Sequence, residues 1–258
     1  MIRNFRSPQR PKKNTLVFGR NNIIKALKEG MALDRIYIDG KAMGDDIQEI
    51  KKLASQAGVP LNYVPVVKLN GFNVAGHEGC IAQIAKVIYQ DLQEMISFVV
   101  ESGETPLFLI LDGITDIRNI GGIARTAYCC GVHALIIPDK GVGALNEDAL
   151  LTSAGALERL PVCRVNSLMK AVDELHMNGI KVVATEMTAE AHVGDYNFSE
   201  PVAIIMGGEE KGIYPALMKI SDAMLKIPMS GDFESLNVSV ATGMVLYEVM
   251  KQRGVGKS

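Results

Sequence analysis

The chain has 258 residues, a formal net charge of −2, and a hydrophobic fraction of 48% against 22% charged residues. That length calls for one or two domains with a sizeable core, and the balance is that of a globular chain, which excludes disorder on a large scale. No run approaches the roughly 20 apolar residues that a bilayer-crossing helix needs, and the N-terminus lacks the apolar centre of a secretory signal, so a cytoplasmic protein with no membrane partner is expected.

Residues 1–15 read as a basic, flexible arm. Arg3, Arg6, Arg10, Lys12, Lys13, Arg20 and Lys25 all precede the first acidic residue, Glu29. Such a stretch suits either contact with nucleic-acid phosphates or a solvated tail. Next, the segment GRNN at 19–22 leads into a helical apolar pattern, Ile23, Ile24, Ala26 and Leu27, and strands are expected at 35–38, near 59–64 and at 80–87. A helix over 47–57 completes a small α/β unit spanning 16–88. Residues 89–105 read as a linker: a short helix over 91–102, then the polar run ESGETP at 101–106.

The second unit is expected over 106–258. Apolar runs at 107–111, 134–137, 162–165, 180–184, 202–206 and 223–227 alternate with helical stretches, which predicts a mostly parallel sheet with helices on both faces. The last helix carries Leu236, Val240, Met244, Tyr247 and Met250 at helical spacing, a stripe that reads as core.

Candidate chemistry sits in three segments of this second unit: NIGGIAR at 119–125, GGEEKG at 207–212, and IPMSGDFESLNVSVA at 227–241. Each places glycine and small polar residues after an apolar run, presenting bare backbone to a ligand at a strand end. Other chemistry finds little support. Cys80, Cys129, Cys130 and Cys163 show no CxxC spacing and read as reduced, buried thiols. His77, His133, His176 and His192 are dispersed, so no metal is expected. GVG at 141–143 lacks the third glycine of a dinucleotide loop, and 207–212 lacks the Lys-Ser/Thr of a phosphate loop.

In residue type, order and spacing the three segments resemble the motifs of the SpoU family of RNA ribose 2'-O-methyltransferases, within the SPOUT superfamily. The first unit resembles the substrate-binding domain that precedes many SpoU catalytic domains, with HEG at 77–79 where a His-Gln-Gly element is usual. Together they are similar to the type that methylates a guanosine of 23S ribosomal RNA. The resemblance implies a C-terminal domain with a deep trefoil knot, S-adenosylmethionine as cofactor, an RNA substrate with rRNA favoured over tRNA, and a homodimer that buries the last helix and completes the site across its interface. A tRNA ribose methyltransferase and a non-catalytic RNA-binding or ribosome-assembly protein are the alternatives.

The resemblance also implies roles. Gly207, Ile227 and Leu236 match positions that contact the cofactor, and Asn119, Arg125, Glu209, Ser235 and Asn237 match the catalytic polar set. Ribose methylation demands positioning of an activated methyl group and loss of the hydroxyl proton. An arginine, always charged, suits electrostatic and phosphate positioning better than proton abstraction, so Arg125 is expected to lower the hydroxyl's pKa, with Gly121 allowing the turn into a helix and Glu209 fixing Arg125 or nearby backbone. Ser235 and Asn237 stand where capping residues belong. Three positions depart from the family pattern: Ile117 replaces a proline, Gly122 an alanine, and Gly208 a serine or alanine.

Overall fold

The computed structural model describes residues 16–142, 145, 147–231 and 235–254, and the chain divides into two units, Met1–Ile88 and Tyr89–Ser258. The basic arm over 1–15 and the centre of the third segment, 232–234, lie outside the described residues.

The first unit runs β1 (Leu16–Phe18), α1 (Arg20–Lys28), β2 (Leu33–Asp39), α2 (Asp45–Gln56), β3 (Leu61–Val64), α3 (Val66–Asn70) and β4 (Cys80–Ile84). Its sheet order is β1-β4-β2-β3, with β2 and β3 parallel and the other pairs antiparallel. Apolar residues three and four apart, Ile23 with Leu27 on α1 and Ile47, Ile50 and Ala54 on α2, bury together against Ile36, Ile38 and Ala82 on one face of the sheet. Leu69 of α3 packs with Val64 and Ile81 in a second, smaller cluster. Side chains alternate across a strand, so Ile81 and Ala82 serve different clusters.

The second unit runs β5 (Tyr89–Gln90), α4 (Leu92–Glu101), β6 (Leu107–Asp112), α5 (Ile117–Cys129), β7 (Ala134–Pro138), α6 (Glu147–Thr152), β8 (Val162–Val165), α7 (Leu168–Met177), β9 (Lys181–Thr185), β10 (Ala191–His192), β11 (Val202–Gly207), α8 (Pro215–Ile220), β12 (Ala223–Lys226) and α9 (Val238–Gln252). Its sheet, in the order β10-β12-β9-β11-β6-β7-β8-β5, is paired in parallel throughout. Residues 107–111 and 202–206 are all buried, as continuous apolar runs should be in central strands covered on both faces. Phe108 and Ile110 join Met95, Ile96, Val172, Leu175 and Leu217 in one core. Helix α5 packs against α9, and α9 against β11.

Two segments differ from their sequence reading. Residues 89–105 do not stand apart as a linker: β5 pairs with β8, and Leu92, Met95, Ile96 and Val99 of α4 are each 3% exposed or less within the second core. Side chains buried that fully contribute about 1.5–3 kcal/mol each, which fastens the segment to the second unit. On α9, Val240, Met244 and Tyr247 are 54%, 45% and 68% exposed, while Val238, Thr242, Val245, Leu246 and Val249 form the buried face. The helix is apolar around most of its circumference, so periodicity found a stripe but not the stripe that faces inward.

The end of α9 is tied down by polar contacts. Gln252 accepts a hydrogen bond from the Phe198 N–H and donates to the Tyr196 carbonyl, and the Arg253 guanidinium donates to the carbonyls of Thr105, Pro106, Phe198 and Glu200. These bonds hold the helix against the segments that enter β6 and β11. Among the described residues, no helix is long and apolar enough to cross a membrane.

Candidate active site

Helix α5 begins five residues after β6, capped by the Asp116 carboxylate, which accepts the Arg118 N–H at 2.9 Å. Asn119 lies in the first turn, only 8% exposed. Its Nδ2 donates to Glu209 Oε1 at 2.9 Å, and its Oδ1 accepts from Asn237 Nδ2 at 3.0 Å. Asn237 Nδ2 also donates to Glu209 Oε1 at 2.8 Å, so one side chain from each segment closes a three-way network. Asn237 is the N-cap of α9: its Oδ1 accepts both the Ser239 N–H and hydroxyl, which leaves its Nδ2 as the group facing the network.

Backbone crossings hold this network in place. The Gly208 N–H donates to the Asp112 carbonyl at 2.8 Å, the Tyr214 N–H to the Asp112 carboxylate at 2.6 Å, and the Gly212 N–H to the Gly208 carbonyl at 2.8 Å. A Cβ on Gly207 would stand 2.4 Å from the Gly212 carbonyl carbon, and one on Gly208 2.4 Å from the Gly113 oxygen. Both contacts are with backbone and cannot rotate away, so the loop closes only if these two residues are glycine. The Gly208 departure therefore matches a close approach to the turn after β6. Gly121, expected to help the turn into the helix, instead lies inside α5, where a Cβ would stand 2.6 Å from Thr152 Cβ. Its role is to let α5 approach the end of α6.

A cleft opens beyond the carboxyl ends of β9, β11 and β12, the usual position for ligands on an open parallel sheet. Gly207, Ile227 and Leu236 all line it, with Glu209 and Ser235 at its edge and Met206, Leu225 and Val238 adding apolar wall. This combination of flat apolar walls, exposed strand-end backbone and a few polar groups fits an adenosine-sized ligand. Thr185, Glu186 and Lys226 also line the cleft. Sequence reasoning missed them, although the polar run TEMT at 185–188 directly follows an apolar strand, which is the available signal. A larger open depression of about 550 Å³ lies beside the start of α5, between Asp116, Arg118, Asp148 and Thr152. It is shallow and polar and contains none of the matched residues, so the strand-end cleft is the better candidate.

Arg125 is not drawn into the network. It is exposed and makes no hydrogen bond or ion pair among the described residues, so Glu209 contacts the two asparagines and not the arginine. The reason is geometric: both Asn119 and Arg125 belong to one helix, and six residues at ~100° each place their side chains on different sides. No cysteine lines the cleft among the described residues. Burial pushes Cys80 and Cys163 up to about 12, while Cys129 is exposed and Cys130 half-buried, so only two of the four are the buried thiols expected.

The family model described as the SpoU rRNA Methylase family matches residues 106–247, and the model described as RNA 2'-O ribose methyltransferase substrate binding matches residues 16–90. A Bacillus subtilis (strain 168) protein named as a TrmH family tRNA/rRNA methyltransferase, YacO, is 34% identical over 237 residues, covering 92% of this chain and 95% of that protein. Among solved structures, the SpoU methyltransferase AviRb from Streptomyces viridochromogenes, in complex with the cofactor AdoMet, is 26% identical with a TM-score of 0.59, covering 93% of this chain and 91% of that one. An AdoMet-bound rRNA methyltransferase from Sinorhizobium meliloti, 21% identical, shares the fold at a TM-score of 0.59 over 92% of this chain and 87% of that one.

Proposed function

The chain belongs to the SpoU methylase family of RNA methyltransferases, and from that premise we propose that it methylates a ribose 2'-hydroxyl of structured RNA, a guanosine of 23S ribosomal RNA, from S-adenosylmethionine. The observation that carries this reading is the convergence of Gly207, Ile227 and Leu236 on one cleft, with Glu209 at its edge joined to Asn119 and Asn237.

When bound, the cofactor supplies an activated methyl group on a sulfonium. Ile227 and Leu236 would hold its purine between apolar walls, and the strand-end backbone at Gly207 would offer hydrogen bonds to its polar groups. Asn119 and Asn237 both donate to Oε1 of Glu209, so Oε2, which has no partner among the described residues, is left to accept the hydrogen bond of the attacking hydroxyl. Ser235 contacts the substrate beside it. Arg125 neutralises phosphate charge and favours ionisation of the hydroxyl, acting from its exposed side of α5 in the site of a second copy. The exposed Val240, Met244 and Tyr247 support that homodimer, since one apolar helix face on a monomer marks an interface. The knot, the cytoplasmic location and RNA contact by the arm and first unit belong to the same reading.

Labelled methyl transfer to unmodified 23S rRNA and, separately, to unmodified tRNA tests the proposal. Label at one guanosine ribose of rRNA is expected. Label in tRNA alone overturns the substrate, and label in neither, with cofactor bound, favours an RNA-binding protein.

A further inference from the structure

Among the described residues that line the cleft, two carboxylates, Glu186 and Glu209, face one ammonium, Lys226. S-adenosylmethionine carries a sulfonium, an ammonium and a carboxylate, and so has net charge of about +1 at neutral pH from the reference ionisations. In transfer, the S–CH3 bond breaks with its electron pair going to sulfur, the O–CH3 bond forms, and the hydroxyl proton leaves to a base. The product left in the cleft, S-adenosylhomocysteine, is a neutral thioether with the same adenosine and amino-acid parts. The charge of the cleft therefore complements the donor and not the product.

Glu186 is placed to read that difference. Its backbone is fixed on both sides, the N–H donating to the Leu225 carbonyl at 2.9 Å and the carbonyl accepting the Ala189 N–H at 3.1 Å. One carboxylate oxygen accepts the N–H and hydroxyl of Thr188, each at 3.3 Å. The other, Oε2, has no partner among the described residues and points toward the 207–212 loop, lying 3.9 Å from where a Cβ on Gly212 would be. Glu186 is half-buried, so water screens it less than a surface charge. Glu209 accepts both amide donors on Oε1, and its Oε2 is the group assigned above to the attacking hydroxyl.

Resting on the cofactor reading above, we propose that Glu186 is a specificity-determining residue whose unpaired carboxylate oxygen makes the cleft favour the cationic methyl donor over its neutral product. Product is then released by loss of an attraction, without any movement of the loop. Glu186 takes no part in proton transfer.

Titration calorimetry of the whole protein with S-adenosylmethionine and with S-adenosylhomocysteine tests this. Glu186→Gln keeps an oxygen for Thr188 and so should keep the wild-type melting temperature. It is expected to weaken donor binding about tenfold, the effect of losing one partly screened charge a few ångströms away, and product binding less than twofold. Raising salt should weaken donor binding more steeply than product binding in the wild type, and remove that contrast in the variant. Equal weakening of both ligands, as a hydrogen bond to the shared ribose would give, overturns the proposal, as does no change in either. Failure of the wild type to bind either ligand instead overturns the cofactor reading on which it rests.

Discussion

Glu209→Ala removes the one acceptor shared by Asn119 and Asn237, at 2.9 and 2.8 Å. A hydrogen bond to a charged group contributes about 1.5–3 kcal/mol where it is shielded. Asn237 is exposed, and water replaces its lost acceptor at little cost. Asn119, 8% exposed, has no such replacement, and stranding its Nδ2 costs about 1–3 kcal/mol. The sum is about 2 kcal/mol, a fall in Tm of roughly 4–8 °C for a unit of this size. Glu209→Gln retains an Oε1 acceptor, so its Tm should stay within about 2 °C of wild type. Methyl transfer should nonetheless fall at least ~100-fold if the free carboxylate oxygen takes the hydroxyl proton. Thermal melts and single-turnover methyl transfer separate the two effects. An unchanged Tm for the alanine variant refutes the network, and near-normal turnover of the glutamine variant refutes the carboxylate's part in deprotonation.

Gly207→Ala should destabilise by at least ~2 kcal/mol through its backbone clash, whereas Gly243→Ala, whose Cβ would meet only Thr126 Cγ2 at 3.8 Å inside α9, should stabilise by about 0.5–1 kcal/mol in the same melts. Burial raises the pKa of Asp222, but the Val182 N–H, Lys181 and His176 outweigh it and leave the carboxyl below its ordinary value of 3.8. Its stabilisation is thus present above 3.8 and lost as pH falls through the lowered folded value, so Asp222→Asn should lower Tm at pH 7 and match wild type at the acid end of a pH series. Tyr247→Glu, on the exposed face of α9, should convert a dimer to a monomer in sedimentation velocity with secondary structure unchanged, and a wild type that sediments as a monomer at micromolar concentration would refute the interface.

The parallel sheet was legible because its central strands are continuous apolar runs, a pattern that burial on both faces permits and little else does. Gly207, Ile227 and Leu236 were singled out by the family resemblance and line one cleft, and the clashes that a Cβ would make at Gly207 and Gly208 give the glycines of that segment a physical basis. The linker reading failed at α4 because polar residues at 101–106 mark a turn whether or not the helix before it is docked. The inward face of α9 was misread because both of its faces are apolar. Asn119 and Arg125 match one polar set in the sequence, and only the run of α5 from Ile117 shows that their side chains diverge. Glu186 carries no motif, and its place in the cleft depends on β9 lying beside β11 and β12, a neighbourhood set by topology rather than by spacing along the chain.

That the strand-end cleft holds the methyl donor is tested most directly by equilibrium binding of S-adenosylmethionine to the wild type and to Leu236→Trp, which fills the cleft from its wall. One molecule bound per chain, with binding abolished in a variant that melts like the wild type, is the predicted result. Undiminished binding by Leu236→Trp would place the donor elsewhere and contradict the site.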